Sequence, residues 1–169
     1  LGGKTAIDVF TIKNLVGTFY PAKHVFIYPA IVKSLPEKEF KNGLGEILKH
    51  ALLAQDQNLM EFFENQQRTI MRRDAMVLER MVIDSLQVKR FYIEADPREE
   101  IGIRSALNLG HTFAHALEST GNLNEWAHGE AVAWGVVKAL ESGLKLKITD
   151  RVFAERSEEH TSELQSRQV

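Results

Sequence analysis

The stretch Glu39 to Gln55, EFKNGLGEILKHALLAQ, has the residue pattern of a helix that buries one face. Its apolar residues recur at intervals of three and four, which places them on a common side of an α-helix. They are Phe40, Leu44, Ile47, Leu48, Ala51 and Leu52. Gly43 and Gly45 lower the helix propensity, so we expect them to serve close packing or the approach of a ligand. The stretch therefore predicts a helix that anchors a helical core.

The residue pattern changes just before this helix. Residues 1–35 contain several glycines and prolines and a β-type run from His24 to Pro29, which indicates strands and loops. Pro36 and Glu37 suit a first helical turn, and Ser34 is suited to be the N-cap. We therefore divide the chain into residues 1–35, residues 36–155 and a polar tail, 156–169.

Further helices are predicted downstream of Gln55. One is a short helix that begins near Asn58, and the next is a long periodic stretch from Arg72 that ends at Asp96, before Pro97. The residues of the long stretch that we expect to face inward are Met76, Val77, Met81, Ile83 and Val88. Two more helices are expected, from about Arg104 to Ser119 and from Gly129 to Lys147. The predicted fold is thus mainly α.

The composition excludes several classes of partner and site. The chain has 169 residues, of which 44% are hydrophobic and 26% are charged, with a formal net charge of −2. Such a chain has no basic surface field, so we expect neither nucleic acid nor an anionic membrane as a partner. With no cysteine, a metal site must use histidine, aspartate or glutamate. No apolar run approaches the roughly 20 residues of a membrane span and no secretion signal is recognisable, so we expect a cytoplasmic protein.

Three histidines form the candidate site. In LNLGHTFAHALE, Leu107 to Glu118, His111 and His115 are four residues apart and share one helix face. Such a pair alone is more often plain helix surface. Asn108 precedes His111 by one turn, and His128 stands at the start of the next helix. A loop of about ten residues would fold the two helices against each other and bring the third imidazole within reach.

A zinc site without cysteine usually adds a carboxylate to the imidazoles, and it keeps one coordination position open when the metal is catalytic. Glu46 is one candidate, because Lys49 shares its helix face and both could line one cavity. Taken alone, that spacing is more often an ordinary intrahelical ion pair on the surface. Glu118, Glu125 and Glu130 are further candidate ligands, and the spacing does not rank the four.

Five stretches, in this order and at these separations, resemble the 3-dehydroquinate synthase family, whose members catalyse the second step of the shikimate pathway. They are GGKTAID from Gly2, KNLVGTFYPAKHVF from Lys13, SLPEKEFKNGLGEILKHALL from Ser34, IRSALNLGHTFAHALE from Ile103 and HGEAVAWG from His128. The resemblance runs from Gly2 to about Asp150. It implies a helical metal- and substrate-binding domain preceded by a remnant of an α/β nucleotide-binding domain.

The resemblance also implies roles for single residues. It implies zinc or cobalt on Glu46, His111 and His128, with His115 as a proton-handling or substrate-binding residue. Contacts to the substrate are implied for Lys49, Lys89, Arg104 and Asn108. Residues implied to line the cleft for NAD and substrate are Lys4, Lys13, Asn14, Ile31, Val32, Lys33 and Ser34.

The implied reaction converts the anionic sugar acid phosphate 3-deoxy-D-arabino-heptulosonate 7-phosphate to 3-dehydroquinate and phosphate. A substrate hydroxyl polarised by the metal is transiently oxidised by NAD, and phosphate then leaves. The ketone is reduced again, the ring opens, and an intramolecular aldol reaction closes the carbocycle. The resemblance implies a homodimer for the intact enzyme.

Three alternatives remain at this point. The first is a related sugar phosphate cyclase such as 2-deoxy-scyllo-inosose synthase, although Lys89 and Arg104 favour a carboxylated substrate. The second is a metal-dependent polyol dehydrogenase, which the set GGKT, KNL and HGEAV disfavours. The third is a helical protein without activity whose histidines bind nothing.

Several features depart from the family pattern. The chain has no glycine-rich GxGxxG turn, so we expect a fragment that does not bind NAD usefully by itself, is inactive alone and is prone to aggregate. The segment RSEEHTSELQS, Arg156 to Ser166, corresponds codon for codon to a common sequencing adapter, and we expect it to be non-native. His50 and Ala51 stand where the family often has Tyr-Gly, and DPREEIGIR is one residue longer than usual. We expect these changes to alter local packing only.

Overall fold

The computed structural model describes residues 2–10, 12–54, 56, 58–120, 126–151 and 153–154, without the Lys13 side chain. The predicted tail, 156–169, therefore lies outside the described residues. The chain is mainly α-helical, as predicted. Its elements are β1 (Lys4–Val9), β2 (Ile12–Phe19), α1 (Glu37–Leu53), α2 (Asn58–Met71), α3 (Ala75–Ala95), α4 (His111–Thr120) and α5 (His128–Lys145), with 3-10 helices at Pro29–Ser34 and Arg104–Asn108. No helix in the described ranges is long and apolar enough to cross a lipid bilayer.

The two strands form an antiparallel hairpin in which Lys4 pairs with Phe19 and Ile7 pairs with Val16. The predicted strand from His24 to Pro29 was wrong, because residues 24–28 have no regular structure and Pro29 begins a 3-10 helix. High β-propensity produces a strand only where a partner supplies hydrogen bonds and a packing surface.

Helix α1 buries the predicted apolar face. Phe40 and Leu44 of α1 belong to a core cluster with residues of α2 and α3. The other members of that cluster are Phe63, Ile70, Leu78 and Met81. Leu48 and Ala51 contribute to a second cluster with the start of α2. Each buried leucine of this kind stabilises the fold by roughly 1.5–3 kcal/mol, so α1 is held from two sides.

Helix α3 exposes two residues that we expected to face inward. Met76 is 78% exposed and Ile83 is 44% exposed, whereas Leu78 and Met81 are buried. Met76 and Ile83 are seven residues apart and share one helix face, and Leu78 and Met81 lie on another. Because the stretch is apolar on more than one side, the packing partners decided which face was buried.

The predicted continuous helix from Arg104 to Ser119 was also wrong. Gly110 has a φ of +80° and separates the 3-10 helix Arg104–Asn108 from α4. This left-handed conformation is one that glycine adopts without steric cost. Asn108 therefore does not lie on the helix that carries His111, and the predicted common face does not exist.

The N-terminus of α1 differs in detail from the prediction. Pro36 occupies the N-cap position, and the Ser34 hydroxyl instead donates to the Ile31 carbonyl at 2.9 Å. The prediction of Ser34 as the N-cap was wrong, because the 3-10 helix that ends at Ser34 already engages its hydroxyl.

Helices α1 and α5 approach closely at a pair of glycines. A methyl group on Gly45 would overlap the Gly129 carbonyl, and one on Gly129 would overlap the Asn42 carbonyl. Gly45 thus serves the predicted close packing. A methyl group on Gly43 would meet no described atom within 4 Å. This contact fixes the distance between Glu46 and His128, which follow and precede the two glycines directly.

Candidate metal centre

Three helices bring one carboxylate and two imidazoles to a common point. Glu46 lies within α1, His111 is the first residue of α4, and His128 is the first residue of α5. One ligand atom from each lies within 4.8 Å of the others. Glu46 Oε1 is 3.5 Å from His111 Nε2 and 3.6 Å from His128 Nε2. The structure thus brings together the three residues that the resemblance implies, and their binding of a metal stays a prediction.

The two carboxylate oxygens of Glu46 have different surroundings. Oε2 accepts a hydrogen bond of 2.8 Å from Lys49 Nζ. Oε1 is buried and has no hydrogen-bond partner among the residues that the structure describes. A buried carboxylate oxygen without a partner is unfavourable, since it loses water and gains nothing in return. A divalent cation between Oε1 and the two imidazoles would satisfy it.

Both histidines have an acceptor at the ring nitrogen that faces away from Glu46. His128 Nδ1 lies 3.0 Å from Glu118 Oε1, and His111 Nδ1 lies 3.3 Å from the Leu109 carbonyl oxygen. These acceptors favour a proton on each Nδ1, which leaves the Nε2 lone pairs free in the neutral rings. The donor set therefore fits a borderline divalent ion such as zinc or cobalt.

The protonation equilibria of the three groups are coupled. Burial opposes ionisation of Glu46, but the nearby His128 ring and the Lys49 charge outweigh it and hold the pKa of Glu46 below its ordinary value. The Glu46 carboxylate, together with that of Glu118, raises the pKa of His128 against the effect of its burial. Burial and the Lys49 charge lower the pKa of His111. Glu46 is thus ionised at neutral pH, as a metal ligand must be.

His115 lies beside the cluster. Its ring centroid is 5.7 Å from that of His111 and 6.4 Å from that of His128, and the residue is exposed. The group of three converging ligand atoms does not include it. This position is compatible with the predicted contact to a substrate, which stays a prediction.

Lys49 adjoins the cluster from inside the fold. It is only 3% exposed, and burial lowers its pKa while the Glu46 carboxylate opposes that shift. The charge of Lys89 on α3 lowers the pKa of Lys49 further, which places the second predicted lysine nearby. Two positive charges close to each other on this side of the cluster would favour an anionic ligand.

The remaining predicted substrate residues make contacts within the protein. Arg104 is buried, and its guanidinium donates to the carbonyls of Pro97 at 2.5 Å and Gly2 at 2.9 Å. Asn108 Nδ2 donates to Glu99 Oε1 at 3.0 Å, and Lys4 forms an ion pair with the same carboxylate. Glu99 was not among the predicted site residues, because no spacing rule connects it with Lys4, 95 positions away.

The residues that the resemblance assigns to the nucleotide lie in the N-terminal part. The Asn14 backbone N–H donates to Asp8 Oδ1 at 2.7 Å. Ile31 is exposed, Val32 packs against the α1–α3 core cluster, and the Lys33 carbonyl accepts from Arg73 at 2.8 Å. The remaining three are Lys4 and Ser34, both described above, and Lys13, whose side chain lies outside the described part. Their contact with NAD stays a prediction.

The structure separates three of the four candidate carboxylates by geometry. Glu46 faces both Nε2 atoms, whereas Glu118 faces the opposite side of the His128 ring. Glu130 accepts from the Ala127 N–H at 3.1 Å and thus caps α5. Glu125 lies outside the described residues.

Two family models together match the chain. The model described as 3-dehydroquinate synthase N-terminal matches residues 1–42, and the one described as 3-dehydroquinate synthase C-terminal matches residues 43–168. The chain belongs to the 3-dehydroquinate synthase family. The second match includes the tail that we predicted to be non-native, and its origin stays a prediction.

Curated members of the 3-dehydroquinate synthase family are similar over most of this chain. A bifunctional 3-dehydroquinate synthase/phosphatase of Fusobacterium nucleatum is 42% identical over 93% of this chain, which spans 24% of that protein. A 3-dehydroquinate synthase of Coxiella burnetii is 39% identical over 89% of this chain, which spans 41% of that protein. The chain thus spans less than half the length of these relatives.

Two solved structures of related cyclases share the fold. A 2-deoxy-scyllo-inosose synthase complexed with carbaglucose-6-phosphate, NAD⁺ and Co²⁺ has a TM-score of 0.80 and 26% identity, covering 92% of this chain and 41% of that one. A 2-epi-5-epi-valiolone synthase of Streptomyces hygroscopicus with NAD⁺ and Zn²⁺ bound has a TM-score of 0.72 and 27% identity, covering 81% and 38%.

Proposed function

We propose that this protein acts as a 3-dehydroquinate synthase, which converts 3-deoxy-D-arabino-heptulosonate 7-phosphate to 3-dehydroquinate and phosphate with NAD and a divalent metal. One observation carries the proposal: Glu46, His111 and His128 converge around a buried carboxylate oxygen that has no hydrogen-bond partner in the described part of the chain. Membership of the family and the cofactors in the related cyclase structures support it.

We assign the metal to Glu46 Oε1 and the Nε2 atoms of His111 and His128. A bound zinc or cobalt ion supplies a Lewis acid for a substrate hydroxyl, and NAD accepts and returns a hydride, so that the overall conversion is redox-neutral. His115, exposed beside the ligands, exchanges protons with the substrate or hydrogen-bonds to it.

The anionic groups of the substrate are assigned to the basic residues around the cluster. Lys49 and Lys89 supply two neighbouring positive charges, and the buried Lys49 ammonium is screened little by water. Arg104 and Asn108 are proposed to bind substrate groups once those groups compete with the present carbonyl and Glu99 partners. Lys4, Lys13, Asn14 and Ile31 to Ser34 are proposed to line the side of the cleft that holds NAD.

Two further proposals concern the setting of the enzyme. We propose a homodimer that works in the cytoplasm. Sedimentation equilibrium measures the oligomeric state directly, and a mass of one chain at working concentrations would contradict the homodimer.

A chimaera tests the activity. Residues 2–150 replace the matching segment of the Coxiella burnetii relative, and phosphate release from 3-deoxy-D-arabino-heptulosonate 7-phosphate is measured with NAD and Co²⁺, for the chimaera and for the chain alone. We expect turnover by the chimaera, its loss on Glu46→Gln, and no turnover by the chain alone. Glu141→Gln, which removes only an ion pair with Lys138 on α5, is the matched control.

The same assay separates the alternatives. Preferential turnover of a hexose phosphate would favour a related cyclase, the class to which the two similar structures belong. A chimaera that folds and binds metal but releases no phosphate from either compound would contradict the proposed function.

A further inference from the structure

We propose that Glu118 is the positioning residue of His128: its carboxylate accepts a hydrogen bond from the Nδ1–H group and thereby directs Nε2 toward the metal. The inference rests on the proposed metal site. It assigns a residue outside the three converging ligand atoms, and it concerns metal affinity rather than the chemical reaction.

The position of Glu118 follows from the periodicity of α4. Glu118 is seven residues after His111, two helical turns on, so both side chains project from the same face. That face lies against the start of α5, where His128 is the first residue. One helix therefore carries a proposed metal ligand and the hydrogen-bond partner of a second ligand.

A carboxylate lies near each of the two ring nitrogens of His128. Glu118 Oε1 lies 3.0 Å from Nδ1, and Glu46 Oε1 lies 3.6 Å from Nε2. Rotation of the imidazole about χ2 would exchange a nitrogen for a carbon at both positions, so the two carboxylates together fix one ring orientation. A carboxylate acceptor also makes the imidazole a stronger donor to a metal, because it stabilises positive charge on the ring.

The burial of Glu118 favours its contact with His128. Glu118 is only 7% exposed, and an ionised carboxylate at such a position is unfavourable without a hydrogen-bonded partner. His111 achieves the same tautomer with a backbone carbonyl, that of Leu109. His128 has the Glu118 side chain in that place, so a single substitution can remove it.

A structural ion pair between α4 and α5 is the competing explanation. An ion pair would stabilise the fold without changing how the ring presents Nε2. The two explanations therefore differ in metal affinity and in the ring's spectroscopic properties rather than in stability.

The test compares the full chain with Glu118→Leu and Glu118→Gln. Zinc affinity is measured by chelator competition at neutral pH, cobalt coordination by visible absorption, and the His128 Nδ1–H proton by NMR of the zinc-bound protein. We expect Glu118→Leu to weaken zinc binding by about 10–100-fold and to alter the cobalt spectrum. Glu118→Gln keeps an acceptor oxygen, so it weakens binding less and shifts the Nδ1–H resonance upfield.

Matched controls make the outcomes distinct. Glu141→Leu removes a carboxylate from α5 and should leave affinity unchanged, and circular dichroism checks that each variant folds. If Glu118→Leu does not fold, the Nδ1–H resonance of Glu118→Gln decides, and an unchanged resonance overturns the inference.

The failure of the inference differs from the failure of the metal site. One outcome overturns the role of Glu118 alone. In it, His111→Ala abolishes zinc binding, but wild type and Glu118→Leu have the same zinc affinity and the same cobalt spectrum. Zinc binding that survives His111→Ala overturns the metal site, and the inference with it.

Discussion

Two histidines one helical turn apart on α4 have different proposed roles, one as a metal ligand and the other as a substrate contact. His111 Nε2 faces Glu46, whereas His115 is exposed beside the cluster and is not among the three converging ligands. We expect His111→Ala to weaken zinc binding by more than about 100-fold, because a ligand is lost rather than an outer partner. His115→Ala should keep the metal. Zinc content after gel filtration measures both, and equal loss in the two variants would contradict the division.

A second single residue, His50, makes the free energy of unfolding depend on pH. It is buried, and its Nδ1 lies 2.6 Å from Ser85 Oγ. Burial, helped by the Lys49 charge, lowers its pKa from 6.5 to about 4. Between these values the unfolded chain binds a proton that the folded chain does not, so the free energy of unfolding falls as the pH falls. The contribution of His50 is lost over this window and amounts to about 3 kcal/mol.

Urea unfolding of wild type and His50→Gln checks this expectation. Other groups titrate equally in both proteins, so their effects cancel in the difference. Wild type should lose stability relative to His50→Gln as the pH is lowered from 6.5 to about 4. A difference that does not change with pH would show that His50 does not titrate in this way.

At the scale of elements, the contact between α1 and α5 sets the metal centre. A methyl group on Gly45 would overlap the Gly129 carbonyl, so Gly45→Ala must move the helices apart. We expect it to destabilise the fold by about 1–3 kcal/mol. It should also weaken zinc binding, because Glu46 and His128 separate.

Gly43→Ala on the same helix is the matched comparison. Its methyl group meets no described atom, so it should stabilise the chain by about 0.5–1 kcal/mol through helix propensity. Chemical denaturation of the two variants tests whether they change the free energy of unfolding in opposite directions, and zinc titration tests whether only Gly45→Ala weakens zinc binding. Similar effects on stability would contradict the assignment of the close contact to Gly45.

At the scale of the whole molecule, the N-terminal part exposes much apolar surface. Phe10 is fully exposed and Phe26 is 94% exposed, and Ile7, Val16 and Tyr28 are exposed as well. Surfaces of this kind promote association. We expect concentration-dependent aggregation, which the double variant Phe10→Asn, Phe26→Ser should reduce at unchanged zinc affinity.

Phe10 also has a φ of +55°, a conformation that asparagine adopts more readily than phenylalanine. The double variant should therefore be no less stable than wild type. Static light scattering over a concentration series measures association. Equal association in both proteins would show that another surface is responsible.

Local periodicity determined much of the fold in advance. The spacing of Phe40, Leu44 and Leu48 predicts the buried face of α1, because side chains three and four apart coincide on a helix whatever surrounds it. The same rule places His111 and His115 on one side of α4, and Glu46 beside Lys49.

Only the tertiary structure decided the rest. Choosing Glu46 over Glu118 for the Nε2 side of His128 required knowledge of how α1, α4 and α5 pack. The residues at 24–28 did not form a strand, and Met76 faces solvent, because strand pairing and burial depend on distant partners. Helical spacing is a property of neighbouring residues, whereas a metal centre assembled from three helices is a property of their packing.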